Sequence, residues 1–272
     1  MKKIKTLILR TAGTNCDMET AFAFKQAGSG VDMVHINELI RKKSLLSQYQ
    51  ILAIPGGFTY GDDVASGKIL ANELKFNLSD QINRFIFAGK PVIGICNGFQ
   101  VLVKMGLLPD TGEVRGEKIE ATLSLNDSGR FEDRWIHLKS EKEQGKRKKC
   151  RCIWTKDIPE VMYMPIAHAE GKFIPKDEKS LNLLKSNGQV VFRYTDSKGA
   201  PAGYPDNPNG SVDDIAGLCD PSGRVLGMMP HPERHAIYLQ HPNWRRFPDR
   251  RKEMGTGIRL FENGVKFAKN QL

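Results

Sequence analysis

The apolar positions fall into two regimes along the chain. In the first hundred residues, short runs with no polar alternation, Lys5–Arg10, Val31–Ile36, Gln50–Ile54 and Pro91–Ile95, are separated by segments of helical periodicity. Continuous apolar strands that alternate with helices predict a parallel sheet covered on both faces. The helices include Met18–Ala27 and Leu78–Ala88. Asp17 stands at the N-cap position of the first, and Gly28 and Gly30 close it. Beyond residue 118 the strands Ile119–Leu125, Arg151–Trp154, Val190–Tyr194, Ile215–Cys219 and Val225–Met229 follow with few helices between them. They predict an antiparallel extension of the same sheet rather than a separate domain. Gly257–Asn270 reads as a closing helix with Ile258, Leu260, Phe261, Val265 and Phe267 inward. The expectation is one α/β domain over residues 1–272. It carries a charged loop near 139–149 and a tail from about 241.

Composition narrows the class. The chain has 272 residues, 40% hydrophobic and 26% charged, which excludes a disordered chain. No apolar stretch approaches the ~18 residues of a membrane span, and Ile4–Leu9 is too short for a signal sequence. The five cysteines are scattered and odd in number, which fits free thiols in a reducing, cytoplasmic setting rather than a disulfide framework. The net charge of +10 is concentrated at Lys142–Arg151 and Arg245–Lys252. It permits an acidic partner, a phosphorylated substrate or nucleic acid, but solvated loops are the expected reading.

Three segments carry chemistry, each directly after a predicted strand. Gly94-Ile95-Cys96-Asn97-Gly98 places Cys96 between small residues at a strand-to-helix turn, the pattern of a nucleophile elbow. Such a turn lifts the side chain above the sheet, and the helix N-terminus favours thiolate. Met229-Pro230-His231-Pro232-Glu233-Arg234 supplies a base, His231, and an acid, Glu233, to orient it. Ile54-Pro55-Gly56-Gly57-Phe58 supplies a close-approaching backbone, so that the Gly57 and Asn97 amides form the natural pair of oxyanion donors.

With these residues the chain resembles class I glutamine amidotransferases, and within them the glutaminase subunits of phosphoribosylformylglycinamidine synthases. The likeness rests also on Gly13–Asp17, Gly56–Asp62, Phe99-Gln100, Pro165–His168, Phe192–Tyr194, Asn207–Ser211 and Gly227–Arg234. It implies a flavodoxin-like amidotransferase fold, a triad of Cys96, His231 and Glu233, and glutamine contacts from Gln100 and Gly56. It further implies that Cys96 forms a thioester with glutamine and that the released ammonia passes to a separate synthetase subunit, with or without a small third subunit. That partner would make formylglycinamidine ribonucleotide in purine biosynthesis. ATP and magnesium belong to the partner, and this chain needs no cofactor. Thr11-Ala12 and Ala169-Glu170-Gly171 depart from the family's usual residues, and the 139–149 loop and the tail beyond Arg234 are longer than usual.

The remaining candidates read as structural. Gly61–Ile69 has one residue too many between its glycines, and Ile69 where a phosphate loop needs Ser or Thr, so no nucleotide site is expected. Cys150 and Cys152 lack a second ligand pair, so no metal is expected. Cys16 approaches the site without a base beside it, Cys219 belongs to the core, and His168 is a pocket or interface residue by the resemblance. His35 and His137 are structural, and His235 and His241 lie at the surface. Three functions remain open at this point. They are a glutaminase subunit of this or another amidotransferase, a free-standing cysteine hydrolase, and a catalytically silent module binding nucleic acid through its basic surface. The last two are the less expected: in an α/β-hydrolase the acid precedes the histidine by a long stretch.

Overall fold

A computed structural model describes residues 3–111, 118–141, 152–246, 248–250 and 253–272. Its centre is a nine-stranded sheet. The strands β1 (Lys5–Arg10), β2 (Gly30–His35), β3 (Ile51–Ile54) and β4 (Val92–Ile95) are parallel, in the spatial order β2-β1-β3-β4. The parallel set is completed by β11 (Val225–Met228) next to β4. This is the flavodoxin-like order 2-1-3-4-5, in which ligands bind beyond the carboxyl ends of the strands. From β11 the sheet continues antiparallel through β10 (Ile215–Cys219), β9 (Val190–Thr195), β6 (Glu132–Ser140) and β7 (Val161–His168). The antiparallel half therefore extends the same sheet.

The helices are α1 (Asp17–Gln26), α2 (Ile36–Arg41), α3 (Lys68–Phe87), α4 (Asn97–Lys104), α5 (Glu178–Ser186) and α6 (Ile258–Gln271). β3, β4, β10 and β11 are buried along their whole lengths, as strands covered on both faces must be. The closing helix packs inward: Phe261 of α6 meets Phe24 of α1 edge to face at 5.0 Å, and Gly264 lies against the Trp154 ring.

Several expectations are corrected. β2 is an edge strand with only Val34 fully buried, not a strand buried on both faces. Asp17 does not cap α1 with its side chain, because its carboxylate pairs with the Arg10 guanidinium at 2.5 Å, and Cys16 occupies the cap position. Ile119–Leu125 contributes β5 (Ala121–Ser124), which leaves the main sheet and pairs with β8 (Lys172–Pro175). Of the segment read as a strand at 151–154, the described residues lead into a 3₁₀ turn, Ile153–Thr155. Its polar groups are satisfied without a ladder: the Trp154 indole donates to the Arg224 carbonyl at 2.9 Å, and Asn263 of α6 donates to the Trp154 and Lys156 carbonyls. Cys150, Arg151 and most of the charged loop, 142–149, lie outside the described residues. Among the described residues no helix is long and apolar enough to cross a membrane.

Candidate active site

The chain leaves β4 in a conformation that few residues tolerate. Cys96 has φ 51° and ψ −107°, and its N–H donates to the Met228 carbonyl on β11 at 2.8 Å. A non-glycine residue at positive φ is strained and is held there by its surroundings. The Cys96 carbonyl accepts from the Phe99 and Gln100 amides, so α4 starts at once. Gly98 is required by contact: a Cβ there would collide with the Ile54 carbonyl of the neighbouring strand. The Cys96 side chain is almost fully buried, with Sγ 3.6 Å from the Ala167 carbonyl at the end of β7.

His231 follows the parallel strand β11, so it emerges at the same sheet edge. Its N–H donates to the Pro165 carbonyl at 2.9 Å. Nδ1 lies 2.6 Å from Oε1 of Glu233, and both side chains are buried. Burial pulls the His231 pKa down. The Glu233 carboxylate, followed by Cys96 and Cys16, outweighs it and holds the ring well above the ordinary histidine value. A carboxylate only accepts, so Nδ1 carries a proton. Nε2 is buried and has no hydrogen-bond partner among the described residues. Gly56 makes this arrangement possible: a Cβ there would stand 2.8 Å from Cε1 of His231 and 3.3 Å from Cβ of Cys96.

Two amides are available beside the thiol. Neither the Gly57 N–H nor the Asn97 N–H donates to a protein acceptor among the described residues. Gly57 sits at φ 144°, where its backbone meets the Gly13–Asn15 segment too closely for a side chain. Two cavities meet at Cys96, and both are bordered by Gly57, Phe58 and Ala167. One, of about 160 Å³, reaches Asp62, Ser66, Gln100, His168 and Glu170. The other, of about 200 Å³, reaches Cys16, Phe131, Asp133, His231 and Arg234.

A polar hub shapes the first cavity. The Asn97 amide donates to Asp62 and to Gln100 at 3.0 Å each and accepts from the Thr59 hydroxyl at 2.7 Å. Gln100 donates to the Glu170 carbonyl at 2.5 Å, and the Glu170 carboxylate accepts from the Ser66 N–H. Gln100 thus borders the cavity while its amide braces the chain after β7. Gly56, the other expected glutamine contact, borders neither cavity; its lack of a side chain instead leaves room for His231 to approach Cys96 and Cys16. In the loop that resembles a phosphate cradle, the protein's own Asp62 carboxylate takes the Ser66 hydroxyl and the Gly67 N–H.

Other residues differ from the sequence reading. Cys16 does lie beside His231, its Sγ 4.0 Å from Nδ1, but that nitrogen carries the proton shared with Glu233 and offers no base; Sγ also accepts from the Arg234 guanidinium at 3.2 Å. Burial nevertheless pushes the Cys16 thiol up, against the pull of His231 and Arg234. Donor atoms of Cys16, His231 and Glu233 lie within 4.8 Å of one another, a cluster that sequence spacing did not show. His168 is buried against the first cavity with Nδ1 3.2 Å from the Asn126 amide oxygen; burial, then His231, pull it down to about 3. His235 is buried rather than superficial, edge-on to Trp135 at 5.0 Å, and burial pulls it down to about 4. His241 is half-buried and stacked on Tyr238.

A strained cysteine, a histidine–carboxylate pair and two amides with no protein acceptor among the described residues, on a flavodoxin-like sheet, fit a thiol-dependent acyl-transfer site. Residues 3–268 match the family model of the CobB/CobQ-like glutamine amidotransferase domain, and the chain belongs to this family. It is 49% identical over 99% of both chains to phosphoribosylformylglycinamidine synthase subunit PurQ of Dehalococcoides mccartyi. It is 42% identical to the subunit of the same name from Archaeoglobus fulgidus, over 98% of this chain and 97% of that one. Among solved structures it is similar to PurLQS from Thermotoga maritima, with a TM-score of 0.71 and 27% identity over 98% of this chain and 99% of that one.

Proposed function

We propose that this chain is the glutaminase subunit of a phosphoribosylformylglycinamidine synthase. It hydrolyses glutamine and delivers ammonia to a synthetase subunit. The observation that carries the mechanism is the meeting of Cys96, His231 and Gly57 around adjoining cavities, with the Asn97 N–H next to Cys96 in the chain.

Glutamine lies in the cavity beside Gln100, with its amide carbon against Sγ of Cys96. The Cys96 thiolate attacks that carbon, and the oxyanion is received by the Gly57 and Asn97 N–H groups. The His231 imidazolium, oriented by Glu233, gives its Nε2 proton to the departing nitrogen. Ammonia leaves, and a glutamyl thioester remains on Cys96 with His231 neutral. Hydrolysis then releases glutamate. None of these steps needs a metal or nucleotide from this chain; ATP and magnesium act on the synthetase, which uses ammonia to convert formylglycinamide ribonucleotide to the amidine. The setting is the cytoplasm.

The test is glutamate release from glutamine by the chain assembled with its synthetase subunit. Release that depends on Cys96 and rises with synthetase substrates supports the proposal. Equal release by a Cys96→Ala chain contradicts it.

A further inference from the structure

Two exchanges must occur at Cys96 while the glutamyl chain stays attached: ammonia leaves and water arrives. Attack of water on the thioester repeats the expulsion of ammonia in reverse, with oxygen in place of nitrogen. The water oxygen must therefore stand where the nitrogen stood, within reach of the same Nε2 of His231. During that interval the cavity containing Gln100 and Glu170 is filled by the glutamyl chain.

His231 does not border that cavity. It borders the second one, of about 200 Å³, which also touches Cys96. A liquid water takes about 30 Å³, so this space holds several small molecules. Its inner wall is already paired with itself. Cys16 donates to Asn15 at 3.3 Å and accepts from Arg234, and Arg234 also binds Glu19 at 3.2 Å. Phe131 and Asp133 form its outer wall, and both are exposed.

We propose that this second cavity is the exchange chamber of the reaction: ammonia departs into it, and the hydrolytic water reaches the thioester from it. The inference rests on the reading of Cys96 as the acylated residue. In the step served by the chamber, the water oxygen bonds to the acyl carbon and one water proton passes to Nε2 of His231. The C–S bond then breaks with its electron pair on sulfur. The products are the γ-carboxylic acid of glutamate, which loses its proton to solvent, and the restored thiolate–imidazolium pair.

The experiment uses the chain assembled with its synthetase subunit, with hydroxylamine as a small neutral nucleophile that captures the thioester as a hydroxamate. Asp133→Trp fills the chamber from its outer wall, and Phe131→Ala opens it. For Asp133→Trp, a kcat loss of roughly tenfold is expected, with a lower hydroxamate yield and KM for glutamine within about twofold. Phe131→Ala is expected to raise the hydroxamate yield. An assembled Asp133→Trp complex with unchanged kcat and hydroxamate yield overturns the inference, as does a loss confined to KM, which would put the obstruction in the glutamine cavity. Should Asp133→Trp fail to assemble, an unchanged hydroxamate yield in Phe131→Ala overturns it alone. Glutamate release by Cys96→Ala in the same assay would instead contradict the proposed function.

Discussion

Nδ1 of His231 lies 2.6 Å from Oε1 of Glu233, two residues away across the proline at 232, and neither side chain reaches solvent. The short link fixes which imidazole nitrogen carries the structural proton and which is left for chemistry. Glu233→Gln keeps the shape but can present an N–H to Nδ1, which favours the wrong tautomer. Glutamate release is expected to fall by roughly 10²–10⁴-fold, with the fold intact by circular dichroism. An unchanged rate would remove Glu233 from the mechanism.

The same pair makes stability depend on pH. Glu233 holds the His231 pKa well above the ordinary 6.5 in the folded chain, against the effect of burial. A group raised on folding contributes stability that is fully present below its unfolded value and is lost as pH rises through its folded value. The melting temperature of the wild type should therefore exceed that of Glu233→Gln most below pH ~6.5. The gap should close as pH climbs through the elevated value. A gap that widens with pH would contradict the assigned charge state.

His168 and His235 act with the opposite sign. Burial pulls them down to about 3 and about 4 respectively, so both are neutral in the folded chain at neutral pH. The unfolded chain takes up these protons first as pH falls, and stability drops between pH ~6.5 and those values. His235→Gln, which cannot titrate there, should flatten part of the acid limb in denaturant titrations. An identical limb would show that His235 does not contribute.

Asn97 separates binding from chemistry. Its side chain ties Thr59, Asp62 and Gln100 together, whereas its backbone N–H is the group proposed to receive the oxyanion. Asn97→Ala keeps the N–H and leaves buried polar partners unpaired, at about 1–3 kcal/mol. The expected result is a raised KM for glutamine with a smaller change in kcat. A loss carried wholly by kcat would mean that the hub positions the reacting groups rather than the cavity.

Much of this arrangement was legible in the sequence because it is local. Unalternating runs such as Ile51–Ile54 and Val92–Ile95 mark buried parallel strands. The small residues around Cys96 mark the elbow, and His231 and Glu233 are two positions apart. What was not legible depends on distant partners. β6 mixes Glu132, Asp133 and Arg134 with Trp135 and Ile136, because its first half runs along the site's rim and its second half enters the core. Cys16 and His231 are 215 positions apart, and only the common edge of β1 and β11 brings them together. His235 reads as a surface residue from its basic, polar neighbourhood. Its burial comes from Trp135 and from the close approach of the Gly255 and Gly257 backbones.

The central claim is that glutamine is carried covalently on Cys96. Its most direct test is mass spectrometry of the acid-quenched complex during turnover with glutamine. The account predicts a glutamyl adduct confined to the Cys96 peptide and absent from Cys96→Ala. Glutamate formed with no adduct at Cys96, or with the adduct on the neighbouring Cys16, would contradict it.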